Sequence, residues 1–204
     1  MRTELAVLAA LGLLGCQQGG SFTLDDDDTS PLDWNSDDDS ADDDDTVEPL
    51  GCTVLSQYPN CFATDGTFNG QIVVGYSSPA QDILSATDIK QGLHEYGLSV
   101  DNLMYYDGEI EDPAAQNLIV VGHFENNTLT DALITDRDIP GTIGRLELYL
   151  HPTGYSSLVV DGGSDEATGY GAEALRFNIN ELPGTTGTFV EMVDGEIVLT
   201  PYSR

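Results

Sequence analysis

The stretch "VVDGGSDEATGYG" at residues 159–171 sets three carboxylates, Asp161, Asp165 and Glu166, just behind an apolar run. Hard cations prefer clustered carboxylate oxygens, so this spacing could hold a divalent ion such as Ca²⁺. The competing reading is acids at a helix start on a solvated rim. Nucleophilic chemistry has little to work with. No hydroxyl sits in a G-x-S-x-G setting. His123 follows an apolar strand and reads as a turn histidine packing on Phe124. His151 precedes Pro152 in a loop, and His94 lies beside Glu95 on a helix, exposed. No catalytic residue is assigned.

The elements that must carry these residues repeat one grammar: a β-branched run, a polar turn with Gly or Asp, then helix-like spacing. Ile72–Val74 is predicted as a buried strand. Ser78 is placed to cap a helix, with Pro79 at its first position and Gln81 closing a capping box. Ile83, Ala86, Ile89, Leu93 and Tyr96 supply the apolar face, and Gly97 ends the helix. Leu118–Val121 and Leu158–Val160 begin the second and third units. Gly169 and Gly171 weaken the third helix. Two Asp-Gly pairs, in "NLMYYDGEI" and "FVEMVDGEIVLT", predict two-residue hairpins. Continuous apolar strands alternating with helices predict an α/β fold with a mostly parallel sheet covered on both faces, plus antiparallel hairpin additions. Asp88 is expected to be partly buried and bonded to nearby backbone, or else an exposed helix acid. Three Gly-containing turns would gather at the strand tips, where ligands usually bind. No nucleotide-binding glycine pattern is present, and Asp161, Asp165 and Glu166 would repel an anion.

The front of the chain carries a location. Leu5–Leu14 is ten apolar residues, too short for the ~20 of a membrane-spanning helix. With Arg2 ahead and Leu13-Leu14-Gly15-Cys16 behind, it has the form of a lipoprotein signal, residues 1–15, with Cys16 as the lipidation site. Three cysteines in an exported chain leave one to explain. With Cys16 lipidated, Cys52 and Cys61 remain as a disulfide pair. Residues 16–50 follow as an acidic, low-complexity linker that cannot bury a core. Trp34, the single tryptophan, lies in it. Residues 51–204 suffice for one domain.

The net charge is −30, from 36 acidic and six basic residues. The linker accounts for 13 of the acids. With Glu4 and Arg2 set aside, residues 51–204 hold 22 acidic and five basic residues, net −17. Nucleic acid is excluded as a partner, because phosphates would be repelled. Either a halophilic setting or the collection of divalent cations explains such a surface; the single lysine, Lys90, favours the first. Asn126-Asn127-Thr128 is a glycosylation sequon, with Asn126 the acceptor.

The lead-in Tyr58, Pro59, Phe62, Asp65, Gly66 and Phe68, the strand ending Val74-Gly75, and the turn Pro79-Ala80-x-Asp82 form one motif. With Ala86, Asp88 and Ile89 on the helix, it resembles archaeal S-layer proteins. "EIEDPAAQNLIVVG" is similar to that family's second strand unit, and "IGRLELYLHPTGYSSLVVDGGSDEATGYGAEAL" to its third. The chain departs at Gly122-His123-Phe124, where the family usually has Gly-Gly and a small residue, and at Val160-Asp161-Gly162. The resemblance implies a Rossmann-like or Toprim-like three-layer domain at the cell surface. A Toprim-type enzyme would need a carboxylate on the first strand turn, where this chain has Tyr76 and Ser77.

These features together predict a non-enzymatic, lipid-anchored protein on the outer face of the cell membrane. It would be a structural part of the S-layer or cell envelope coat, with membrane and other coat proteins as partners and Ca²⁺ as the one candidate ion. The rivals are an extracellular module binding a small ligand or envelope glycan at the strand tips, and a metal-dependent surface enzyme.

Overall fold

The computed structural model describes residues 50–100 and 104–203. The signal segment, Cys16 and the acidic run up to residue 49, including Trp34, lie outside the described residues. Strands β1 (Ala63–Thr64) and β2 (Thr67–Phe68) form a small hairpin. The main elements follow as β3 (Gly70–Val74), α1 (Ala80–Glu95), β4 (Met104–Tyr106), β5 (Asn117–Val121) and α2 (Thr128–Leu133). Then come β6 (Ile143–Leu150), β7 (Ser156–Gly162), α3 (Asp165–Phe177), β8 (Gly187–Val193) and β9 (Glu196–Tyr202). Seven strands make one mixed sheet in the order β4-β3-β5-β7-β6-β8-β9.

The α/β class holds, but the sheet is half parallel rather than mostly so. β4, β3, β5 and β7 pair parallel; β7–β6, β6–β8 and β8–β9 pair antiparallel. The difference arises from β6, which runs back beside β7 through the tight turn His151–Tyr155 and so needs no helical crossover. Of the two Asp-Gly hairpins, Asp194-Gly195 forms as expected, with positive φ at both residues. Asp107-Gly108 does not. It opens one turn of 3-10 helix after β4, which pairs parallel with β3. The Asp107 side chain is held elsewhere, as described below.

Alternation along the strands divides the core. Ile72, Val74, Ile119, Val121, Leu158 and Val160 pack under α1 and α3 with Ala86, Ile89, Leu93, Ala172 and Leu175. Val73, Leu118, Val120 and Val159 face the other way, against Leu129 and Ile134 of the α2 segment. All five residues of β5 are buried, as a strand covered on both faces requires.

Helix α1 differs from its predicted form in two ways. Pro79 stands at the cap, and no side chain caps the helix; the Ser78 backbone N–H instead closes a turn onto the Gly75 carbonyl at 3.0 Å. Its inward face is Asp82, Ser85, Ala86, Ile89, Gly92 and Leu93, while Ile83 and Tyr96 are exposed. The face turned because Gly92 lets the backbone of α3 come close: a Cβ there would meet Arg176 Cα at 2.9 Å. Asp88 is partly buried, and its partner is a side chain rather than nearby backbone: it pairs with Arg176 Nη1 at 2.8 Å. The end of α1 is as expected. The Gly97 and Leu98 N–H groups donate to the His94 and Leu93 carbonyls, the six-residue pattern that a left-handed glycine makes possible. Gly169 and Gly171 do not interrupt α3. A Cβ on Gly171 would press on Val160 at 3.0 Å, so the gap seats the helix on the sheet.

Residues 50–62 lock onto the amino edge of the parallel strands. The Cys52 N–H donates to Ser156 Oγ at 2.9 Å, and Asn117 Nδ2 donates to the Leu50 carbonyl at 3.1 Å. Asn117 and Ser156 are the first residues of β5 and β7. A disulfide joins Cys52 to Cys61 across 5.1 Å between their Cα atoms.

Candidate functional site

The loops after β3, β5 and β7 meet at the opposite, carboxyl edge. Gly75 lies backbone to backbone against Asn126 and Asn127, a contact any side chain would block. Gly122 has φ 117°, and a Cβ there would strike the carboxylate of Asp82. The loops are therefore packed by their glycines, and two different environments result.

The first is a buried ionic cluster. Asp161, at the end of β7, accepts a bond from Arg145 Nη2 of β6 at 2.7 Å; the two residues are cross-strand partners. Arg145 Nη1 donates to the Asp136 carbonyl at 2.7 Å, and its Nε lies 3.6 Å from Glu147. One buried cation thus serves two buried carboxylates. Burial pushes the Asp161 carboxyl up, against the pull of Arg145 and the Gly162 N–H. Tyr202 closes over Glu147, and burial followed by that carboxylate pushes its hydroxyl up.

Asp82, on α1, borders this cluster. It is 1% exposed, and neither carboxylate oxygen has a well-formed hydrogen bond. Burial pushes it up to about 6. Asp165 and Asp161 add repulsion, and Ser78 and His123 pull the other way. The Ser78 hydroxyl is close enough for that pull but lacks the geometry of a full bond.

The second environment is open. Tyr76, Ser77, Asp107, Phe124, Asn126 and Asp131 line a groove of about 430 Å³ at the tips of β3, β4 and β5. Asp107 forms its floor. It accepts from the Tyr76 and Gly108 N–H groups at 2.9 and 3.0 Å, and from Thr128 N and Oγ1 at 2.8 and 2.7 Å. Burial works to raise Asp107, but these bonds overcome it and hold the carboxyl below the ordinary range. Tyr76 is 82% exposed and meets Tyr106 edge to face at 5.7 Å. His123 stacks on Phe124 at 4.0 Å, and Arg137 lies over the same ring at 5.0 Å while pairing with Asp131.

The proposed cation ligands are spread out rather than gathered. Asp161 turns to Arg145, whereas Asp165 and Glu166 stand in the exposed first turn of α3, where Glu166 accepts from Tyr170. Among the described residues, no group of three or more His, Cys, Asp or Glu side chains is arranged to hold a metal. Asn126 lies half-buried on the groove wall. Its sequon is folded into the start of α2: Asn127 Oδ1 accepts from Leu129 N, and Thr128 bonds Asp107. His94 is exposed, and His151 Nε2 meets Ser157 Oγ at 2.8 Å.

Sequence reasoning missed Arg145, Asp107 and the depth of Asp82. For Arg145 a signal existed: "GRLELYL" alternates polar and apolar residues at period two, and one of few basic residues sits among them. For Asp107 the Asp-Gly pair pointed to a different structure.

No protein-family model matches this chain, and no curated protein matches it significantly.

Proposed function

We propose that this chain is a lipid-anchored protein of the outer cell surface whose α/β domain has a structural role in the envelope coat. The observation that carries the reading is the Cys52–Cys61 disulfide. Disulfides persist in oxidising compartments, and this one leaves Cys16, in its lipobox-like context, as the remaining thiol.

The finer reading of the fold is Rossmann-like. Its support is the strand order β4-β3-β5-β7, all parallel, with α1 and α2 on opposite faces. The Toprim-like variant has less support, since Tyr76 and Ser77 stand where its first carboxylate belongs. A non-catalytic role is favoured by how the rim acids are used: Asp161 and Asp107 are bound up in the protein's own bonds. The resemblance to archaeal S-layer proteins supplies the coat itself, and Ca²⁺ between like-charged surfaces would help neighbours meet. The test is fractionation of the native cells followed by chemical crosslinking of the intact surface. Recovery in the membrane fraction, crosslinked to other coat proteins and released with them on chelation, supports the reading. A free protein in the cell interior overturns it.

A further inference from the structure

The geometry points to the groove lined by Tyr76, Ser77, Phe124 and Asn126 as a binding site for a neutral carbohydrate chain. This goes beyond the coat reading and does not depend on it.

Position comes first. In sequence order the parallel strands run β3, β4, β5, β7, yet in space β4 and β5 flank β3. The chain reverses its direction of growth between β3 and β5. In open α/β sheets the loops on either side of such a reversal part, and ligands settle there, outside the carboxyl ends of the strands. The groove lies at that place, lined from the loops after β3, β4 and β5. It is also on the far edge of the sheet from Leu50 and Cys52.

Chemistry selects the ligand. Tyr76 is the most exposed large apolar side chain among the described residues, and Tyr106 beside it is 44% exposed. Tyr106 supports the Tyr76 ring from outside the groove by an edge-to-face contact, and the Tyr76 ring itself is left bare at the groove mouth. The charged groups of the lining are largely committed within the protein. Asp107 is saturated by four hydrogen bonds. Asp131 is paired with Arg137. Glu125 points into solvent, and its backbone N–H donates to His123 Nδ1 at 3.4 Å. An anionic ligand would find carboxylates and no uncommitted guanidinium, and a cationic one would find Asp107 and Asp131 already engaged and only the solvated Glu125 beside them. What the groove presents is ring faces beside hydroxyl and amide groups, from Tyr76, Ser77 and Asn126. A sugar matches this: its C–H face stacks on an aromatic ring while its hydroxyls exchange hydrogen bonds with the polar lining.

The test uses the full chain, made in an oxidising host without N-glycosylation so that Asn126 carries no glycan of its own. A panel of neutral trisaccharides (β1,4-glucosyl, β1,4-N-acetylglucosaminyl and α-mannosyl) is titrated while the tyrosine ring resonances are followed by NMR. At least one is expected to shift the Tyr76 and Tyr106 signals in a saturable way. Tyr76→Ala is expected to weaken that binding about tenfold, a loss of about 1.4 kcal/mol. Tyr96→Ala, on an exposed ring at the end of α1, leaves it unchanged. Because Tyr76 is so exposed, its replacement keeps the fold, and an unchanged thermal midpoint verifies this. The inference is overturned if no member of the panel shifts these rings, or if the shift survives Tyr76→Ala. It is equally overturned if only a lysine-rich peptide binds and salt abolishes that binding.

Discussion

The two edges of the parallel sheet are built on opposite plans. At the amino edge, neutral groups satisfy one another: Asn117 and Ser156 tie down the backbone of Leu50 and Cys52, and a disulfide closes the loop behind them. At the carboxyl edge, charge is buried around one guanidinium, a carboxylate stands without a proper donor, and aromatic rings are left in solvent. The first edge is made to hold, and the second keeps groups in states that folding alone would not choose. Natural proteins retain such local conflicts mainly where function requires them.

The sharpest way to break this contrast is at Arg145. Arg145→Met would leave Asp161 and Glu147 buried without their cation, and should lower stability by about 3–5 kcal/mol. Chemical denaturation measures it, and pairing the change with Asp161→Asn should recover part of the loss. A loss under about 1 kcal/mol would mean that water already reaches the cluster.

The amino edge comes next. Replacing Cys52 and Cys61 together with serine should destabilise the domain by about 2–3 kcal/mol, through the freed ten-residue loop. The carboxyl-edge groove should be untouched, which the Tyr76 and Tyr106 resonances would report.

The third change has the opposite sign. The folded-state pKa of Asp82 lies near 6, above that of an exposed aspartate. Stability from this group is therefore greatest at low pH, falls as pH rises through the window from about 4 to about 6, and stays low above it. Asp82→Asn should stabilise the protein at neutral pH by up to about 2–3 kcal/mol, at roughly 1.4 kcal/mol per unit. It should also flatten the melting temperature across that window. Asp107 works the other way. Its carboxyl is held low, so its contribution is present above about pH 4 and lost as pH falls further. Asp107→Asn should weaken the fold at neutral pH and blunt that acid loss. If both variants shift the curve in the same direction, the assigned environments are wrong.

Smallest of all is Tyr76→Ala. At 82% exposure its effect on stability should stay within about 0.5 kcal/mol, so any loss of ligand binding is attributable to the ring itself.

What was legible in the sequence follows the same division. Strands β3, β5 and β7 and helices α1 and α3 could be read because apolar runs and turn residues repeat locally. The Asp194-Gly195 hairpin and the Gly97 stop were equally local signals. Where β6 pairs was not legible. A strand inserted between β7 and β8 depends on long-range register, which leaves little trace in a single sequence. The inward face of α1 shifted for a similar reason: Gly92 matters only because α3 arrives beside it. At the site, Asp161 and Asn126 were identified by type, but their partners were not. Arg145 reaches Asp161 across strands, and Asp107 reaches Thr128 from a turn that read as a hairpin. Spacing along the chain identifies groups able to do chemistry; which of them are neutralised is decided by residues far away in sequence.

The most direct test of the surface reading is mass spectrometry of the protein from its native cells. The account predicts a chain beginning at a lipid-modified Cys16, with Cys52 and Cys61 joined. An intact Met1 start with all three cysteines as free thiols would contradict it.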